Sequence, residues 1–145
     1  MKIFYLGLFL WGAALPLQAY DFVCDSIYYN ITSSYNLTVE VTRGDVKYAG
    51  NISVPSVVEY RGRAYRVTAV GFYAFSLCGA LKSVTLPNSI EFIDSYAFYR
   101  CIGLRSIVIP LSVARVGVGV FEGCTELREI RGKRVFDLFS RKRSR

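Results

Sequence analysis

Between Val70 and Ile130 the apolar positions recur at a fixed step of 23 residues. Phe75, Phe98 and Phe121 share one phase, Cys78, Cys101 and Cys124 the next, and Leu81, Leu104 and Leu127 the one after. Val84, Ile107 and Ile130 continue the series, and Val70, Ile93 and Val116 open it. Within one unit the pattern predicts a strand over Leu81–Pro87, with Leu81, Val84 and Leu86 inward and Lys82 and Thr85 outward. Pro87 ends that strand because it has no N–H to give to a ladder. A second short strand is expected over Ser89–Ile93, and a helical turn over Phe72–Cys78 that points Phe75 and Cys78 inward. A period of 20 to 29 residues with Leu/Ile landmarks signals a solenoid, in which identical positions stack and each turn covers the apolar face of the last.

Upstream the period changes. Ser26–Thr32 and Asn36–Thr42 are rich in β-branched and aromatic residues, and the second alternates at period two, which predicts a hairpin turning at Ser33–Asn36. Asn51–Pro55 echoes Ser83–Pro87, but 32 residues earlier instead of 23. The extra nine residues fit a small hairpin over Glu59–Arg63 with Arg61-Gly62 at its turn. Residues 20–69 therefore read as an N-terminal β cap holding one expanded, degenerate repeat, and residues 70–132 as the repeats proper. A cap is needed because the first turn would otherwise expose its apolar face and sheet edge.

The stretches AFSLCGALKSVTLPNSIEFI and AFYRCIGLRSIVIPLSVARV resemble the BspA-type leucine-rich repeat, with its A-F-x-x-C-x-x-L-x-x-I-x-I-P-x-S-V-x-x-I-G pattern. The resemblance implies a mainly β leucine-rich repeat solenoid with short helical turns. It also implies a secreted or surface-exposed bacterial protein that binds proteins of a host or a neighbouring cell.

Composition refines this picture at both ends. Of the 145 residues, 52% are hydrophobic, and part of that excess is the uncharged run Ile3–Ala19 after Met1-Lys2. It reads as a secretory signal over residues 1–19, cut after Ala19. The run is short for a membrane span and Pro16 interrupts it, so no span is expected after cleavage. The expected location is secreted, at the cell surface or in the periplasm. The net charge of +7 is a property of the tail: residues 131–145 carry a net +6, and residues 20–130 are neutral. Residues 133–145 read as a basic, disordered tail. Its Arg141–Arg145 cluster has the look of a nucleic-acid patch, which a secretory signal argues against, so no nucleic-acid partner is expected.

The chemistry is sparse. The chain has no His, which removes Ser-His-Asp and Cys-His nucleophile systems and the commonest zinc ligand. Three cysteines spaced 23 apart form neither a CxxC redox pair nor a metal cluster, and stacked Cβ vectors run parallel, so they read as free thiols. No cofactor or metal is expected. The core of the repeats is expected to be Phe75, Cys78, Leu81, Phe98, Cys101, Leu104, Phe121, Cys124 and Leu127. Glu122, Glu126 and Glu129 are the only candidates for a glycosidase-like carboxylate pair, and a solvated loop and strand explains them as well. Lys82, Arg105 and Arg128 share one outward position on successive repeats, a candidate partner-binding strip for an acidic protein surface. The reading is a non-catalytic, monomeric interaction module. The alternatives are a shortened remnant of a longer array without independent function, and a carbohydrate-active enzyme using Glu122, Glu126 or Glu129.

Overall fold

A computed structural model describes residues 18–132. The signal segment up to residue 17 and the basic tail 133–145 lie outside the described residues. Eleven strands occur among them: β1 (Phe22–Cys24), β2 (Ile27–Ser33), β3 (Thr38–Thr42), β4 (Gly50–Ser53), β5 (Val57–Tyr60), β6 (Arg63–Val70), β7 (Leu81–Thr85), β8 (Phe92–Ile93), β9 (Ser106–Ile109), β10 (Arg115–Val116) and β11 (Glu129–Gly132). They form two sheets. One runs β1-β2-β3-β6-β8-β10, with β5 also on β6; the other runs β11-β9-β7-β4.

The 23-residue step becomes a parallel register. Val84 sits beside Ile107 and Ile107 beside Ile130 in one sheet; Val70 sits beside Ile93 and Ile93 beside Val116 in the other. The 32-residue echo is also a pairing: Ile52 of β4 lies against Val84 of β7. The inserted hairpin is β5–β6, with Tyr60 opposite Arg63. Arg61 and Gly62 both adopt positive φ there, 50° and 71°, as a type I′ turn requires. β2 and β3 form the expected antiparallel hairpin, and β3 then pairs parallel to β6.

The two sheets are not the only ladders. On the turns between them, Phe75 N–H donates to the Ala97 carbonyl (2.7 Å) and Phe98 N–H to the Val120 carbonyl (3.0 Å). Leu77 N–H likewise reaches Tyr99, and Arg100 N–H reaches Glu122. Each unit is thus hydrogen-bonded to the next on three sides. The helical turn expected over Phe72–Cys78 is not formed, and no helix occurs among the described residues. Tyr73 (φ 53°) and Leu77 (φ 59°) are left-handed, as are Tyr96 (φ 57°) and Arg100 (φ 53°) one unit later. Two such residues four apart break a right-handed helix. The chain instead takes successive tight turns, with Ala74 N–H bonded to Gly71 O, Ser76 N–H to Tyr73 O and Cys78 N–H to Phe75 O. The second strand of each unit is shorter than expected, two residues in β8 and in β10. The Ile90 N–H folds back to the Pro87 carbonyl and uses the preceding residues in a turn.

The core lies between the sheets. Phe75 and Phe98 are buried and stack with ring planes 3° apart at 4.9 Å, and Phe98 meets Phe121 at 5.6 Å. Tyr48 stands before Phe75, at 4.6 Å, where an earlier unit would supply a Phe. Its hydroxyl donates to the Thr42 carbonyl (2.6 Å) and accepts the Tyr28 N–H (3.0 Å), which ties the N-terminal strands to the ring stack. Full burial of each Phe contributes about 1.5–3 kcal/mol. Phe75, Cys78, Leu81, Phe98, Cys101 and Leu104 are all buried. Phe121, Cys124 and Leu127 are not: they are only partly buried against the core, and Ile130 is 37% exposed where Ile107 is fully buried. The expected core membership holds for two units and fails for the last. Among the described residues no further unit covers that end. The chain leaves the pattern at Gly132 (φ 94°), where a Cβ would strike the Ile109 carbonyl.

Candidate functional site

The sheet β11-β9-β7-β4 presents a polar outer face. Asn51, Ser83, Ser106 and Glu129 align across its strands, and the Ser83 hydroxyl bonds Asn51 Oδ1 at 2.8 Å. Lys82, Arg105 and Arg128 run along its edge. Their backbones are chained, Arg105 N–H to Lys82 O (2.9 Å) and Arg128 N–H to Arg105 O (3.0 Å), so one side chain follows the next at ladder spacing. All three are exposed. Lys82 leans along the stack, its Nζ over Gly103 of the next unit, which has no side chain to obstruct it. Arg128 pairs loosely with Glu126 at 3.7 Å, whereas neither Lys82 nor Arg105 has an ion pair among the described residues.

The three carboxylates do not converge in a buried cleft. Glu122, Glu126 and Glu129 are exposed. Glu126 faces Arg128, and Glu129 is held by Arg131 at 2.5 Å. Among the described residues no group of three His, Cys, Asp or Glu side chains could hold a metal ion.

The cysteines are all free thiols, and they do more than fill space. Cys101 Sγ donates to the Phe75 carbonyl and Cys124 Sγ to the Phe98 carbonyl, each at 2.9 Å. Each thiol therefore bonds the preceding unit beside the Phe that stacks there. Contact with the Cys124 thiol, together with burial, pushes the Cys101 thiol well above the usual range, and burial raises Cys78. The same contact favours the thiolate on Cys124, the more exposed member of the pair.

One feature has no counterpart in the expectations drawn from sequence. On the turn side, Tyr73 and Tyr96 stack at 5.2 Å with planes 14° apart, flanked edge-on by Phe72 and Tyr99. Arg100 lies over the Tyr99 ring at 5.5 Å, and Phe72 is 56% exposed. The 23-residue step relates Tyr73 to Tyr96 and then to Gly119, where the Tyr96 ring occupies the place of a side chain. The signal was present as Phe72-Tyr73 and Tyr96 to Tyr99, but it was hidden because only positions repeated in all three units stood out.

The family model for the BspA type leucine rich repeat region matches residues 63–137. The chain belongs to the BspA-type leucine-rich repeat family. Solved structures agree with that membership. A leucine-rich repeat protein from Bacteroides ovatus is 35% identical with a TM-score of 0.71; the match covers 77% of this chain and 29% of that one. A leucine rich cell surface protein from Faecalibacterium prausnitzii is 25% identical with a TM-score of 0.65, over 81% of this chain and 31% of that one. A leucine-rich repeat protein from Bacteroides capillosus shares the fold at 23% identity and a TM-score of 0.56, over 78% of this chain and 98% of that one. The BspA-type chain thus spans about three-tenths of the length of the first two. No curated protein matches it. No helix among the described residues is long and apolar enough to cross a membrane.

Proposed function

We propose that this chain is an exported, non-catalytic protein-interaction module at the bacterial surface. In this reading residues 1–19 are the export signal, residues 20–69 the N-terminal β cap of a short solenoid, residues 70–132 its repeats and residues 133–145 a basic tail. The docking surface is the strip Lys82–Arg105–Arg128, and its partner is an acidic segment of another protein. The observation that carries the reading is the alignment itself. Three cations share one exposed position on successive strands, and two of them have no acid nearby to neutralise them. At a strand spacing of about 4.8 Å, adjacent like charges repel by about 0.9 kcal/mol in water. An acidic segment with carboxylates at matching spacing relieves that repulsion and gains charge-assisted hydrogen bonds. The repeat sheet holds the strip rigid, so little conformational entropy is lost on docking.

The test is capture of proteins from a surface-protein extract by the full chain and by a Lys82→Glu/Arg105→Glu/Arg128→Glu variant, with circular dichroism to verify the fold. The triple variant is expected to lose the partners that the wild type retains, and the wild type to lose them in high salt. Equal recovery by the two proteins would rule out the strip as the docking surface.

A further inference from the structure

We propose that β11 is a self-association edge, through which two copies of this chain join end to end by antiparallel pairing of their β11 strands about a two-fold axis at Ile130. This departs from the monomer expected from the sequence, and it rests on observations separate from the basic strip.

β11 ends the four-stranded sheet; its one partner is β9, and all four of its residues are exposed. Natural sheet edges are protected against such pairing by inward-pointing charges, prolines or bulges. β11 has none of these. Its inward residue is Ile130, in register with buried Ile107 and 37% exposed. Phe121, Cys124 and Leu127, on the same terminal unit, are also incompletely covered. Its charges, Glu129 and Arg131, flank Ile130 on the solvent face and carry opposite signs.

That arrangement is self-complementary. Antiparallel pairing centred on Ile130 sets Glu129 opposite Arg131 of the second copy and Arg131 opposite its Glu129. Both isoleucines stay on the inward face, since a two-fold perpendicular to the sheet keeps inside with inside. Cross-strand pairs of opposite charge stabilise a sheet and like pairs destabilise it. A slip of one residue would set Ile130 against a charge and turn one copy's inward face outward, so the centred register is selected. An isologous contact of this kind closes at two copies. The bonds made inside one copy by Glu129 and Arg131 are exposed, so exchanging them for bonds between copies costs little.

The experiment is sedimentation velocity on the full chain, with circular dichroism to verify the fold of each variant. A contact limited to a strand edge falls at the small end of the interface scale, so the wild type is expected to pass from monomer to dimer between roughly 10 μM and 1 mM. Glu129→Arg sets Arg against Arg, and Arg131→Glu sets Glu against Glu; each alone is expected to weaken dimerisation at least about tenfold. Mixed in equal amounts, the two variants are complementary again and are expected to form a one-to-one heterodimer by native mass spectrometry. Association through the apolar segment Ile3–Ala19 would not depend on these charges. A wild type that stays monomeric at about 1 mM, single variants that associate as well as the wild type, or a mixture that stays dissociated would each overturn the proposal.

Discussion

Phe98 and Phe121 occupy the same repeat position 23 residues apart, yet their surroundings differ. Phe98 is buried between two rings, its N–H is bonded to Val120, and Cys124 donates to its carbonyl. Phe121 has one ring neighbour, is partly exposed, and its N–H has no acceptor among the described residues. The N-terminal end of the stack is unlike either. There Tyr48 closes the ring series and its hydroxyl binds two backbone groups. The same local sequence is therefore worth different amounts at different places in the stack. Stability in a repeat protein resides largely in the contacts between units, and a unit covered on one side has about half of them.

The largest effect that would break this comparison is the loss of a ring. Phe98→Ala is expected to destabilise by about 3–5 kcal/mol, with the cavity adding to the lost transfer energy. Phe121→Ala is expected to cost only about 1–2 kcal/mol, because less of its surface leaves water on folding. Urea denaturation midpoints measure both. Equal losses would mean that the last unit is covered as well as the middle one.

Glycine offers a second contrast. Gly119 is left-handed (φ 60°) and carries the Tyr96 ring over its Cα. Gly119→Ala is expected to cost about 1–2 kcal/mol in thermal unfolding, from backbone strain and displacement of the ring. An added Cβ at Gly79 meets only Ile102, at 3.5 Å. Gly79→Ala is expected to stay within about 0.5 kcal/mol of the wild type.

The thiols sharpen the comparison without perturbing the fold. Cys124 is partly exposed and favoured as the thiolate, while Cys101 and Cys78 are buried and raised. The thiolate is the reactive form, so modification speeds up as pH rises through each thiol's pKa. Cys124 is therefore expected to react at lower pH, and sooner, than Cys101 or Cys78 in the native protein. Mass spectrometry after timed alkylation reads the order. Cys101 reacting first would contradict the assignment of the covered and open units.

Much of the fold was legible because a solenoid-like register is one-dimensional. A step of 23 read from Phe, Cys and Leu is the same step that sets Ile107 beside Val84, and the offset of 32 at Pro55 and Pro87 reappears as the pairing of Ile52 with Val84. What was not legible depended on backbone conformation or on neighbours beyond the pattern. Tyr73 and Leu77 look compatible with a helical turn, and nothing in their side chains announces a positive φ; Gly119 and Gly123, at the same positions one and two units later, were the available clue. Phe121, Cys124 and Leu127 carry the full core signature, but periodicity reports which face a residue occupies and not whether another unit covers it. The strip Lys82–Arg105–Arg128 was placed correctly as exposed and in line, because outward alternation on a strand follows from its pleat. The aromatic cluster at Tyr73 and Tyr96 was missed because its third member is Gly119.

The most direct test of the stacked, open-ended arrangement is native-state hydrogen exchange at three equivalent amides. Phe75 and Phe98 donate to the next unit at 2.7 and 3.0 Å, whereas Phe121, at the same position, finds no acceptor among the described residues. Amides that open only with the stack are protected by its stability, while an unbonded amide at a partly exposed end exchanges nearly freely. Phe75 and Phe98 are expected to exchange at least about a hundredfold more slowly than Phe121. Protection of Phe121 equal to that of Phe98 would show that another segment covers and bonds the last unit, and the open-ended account would be wrong.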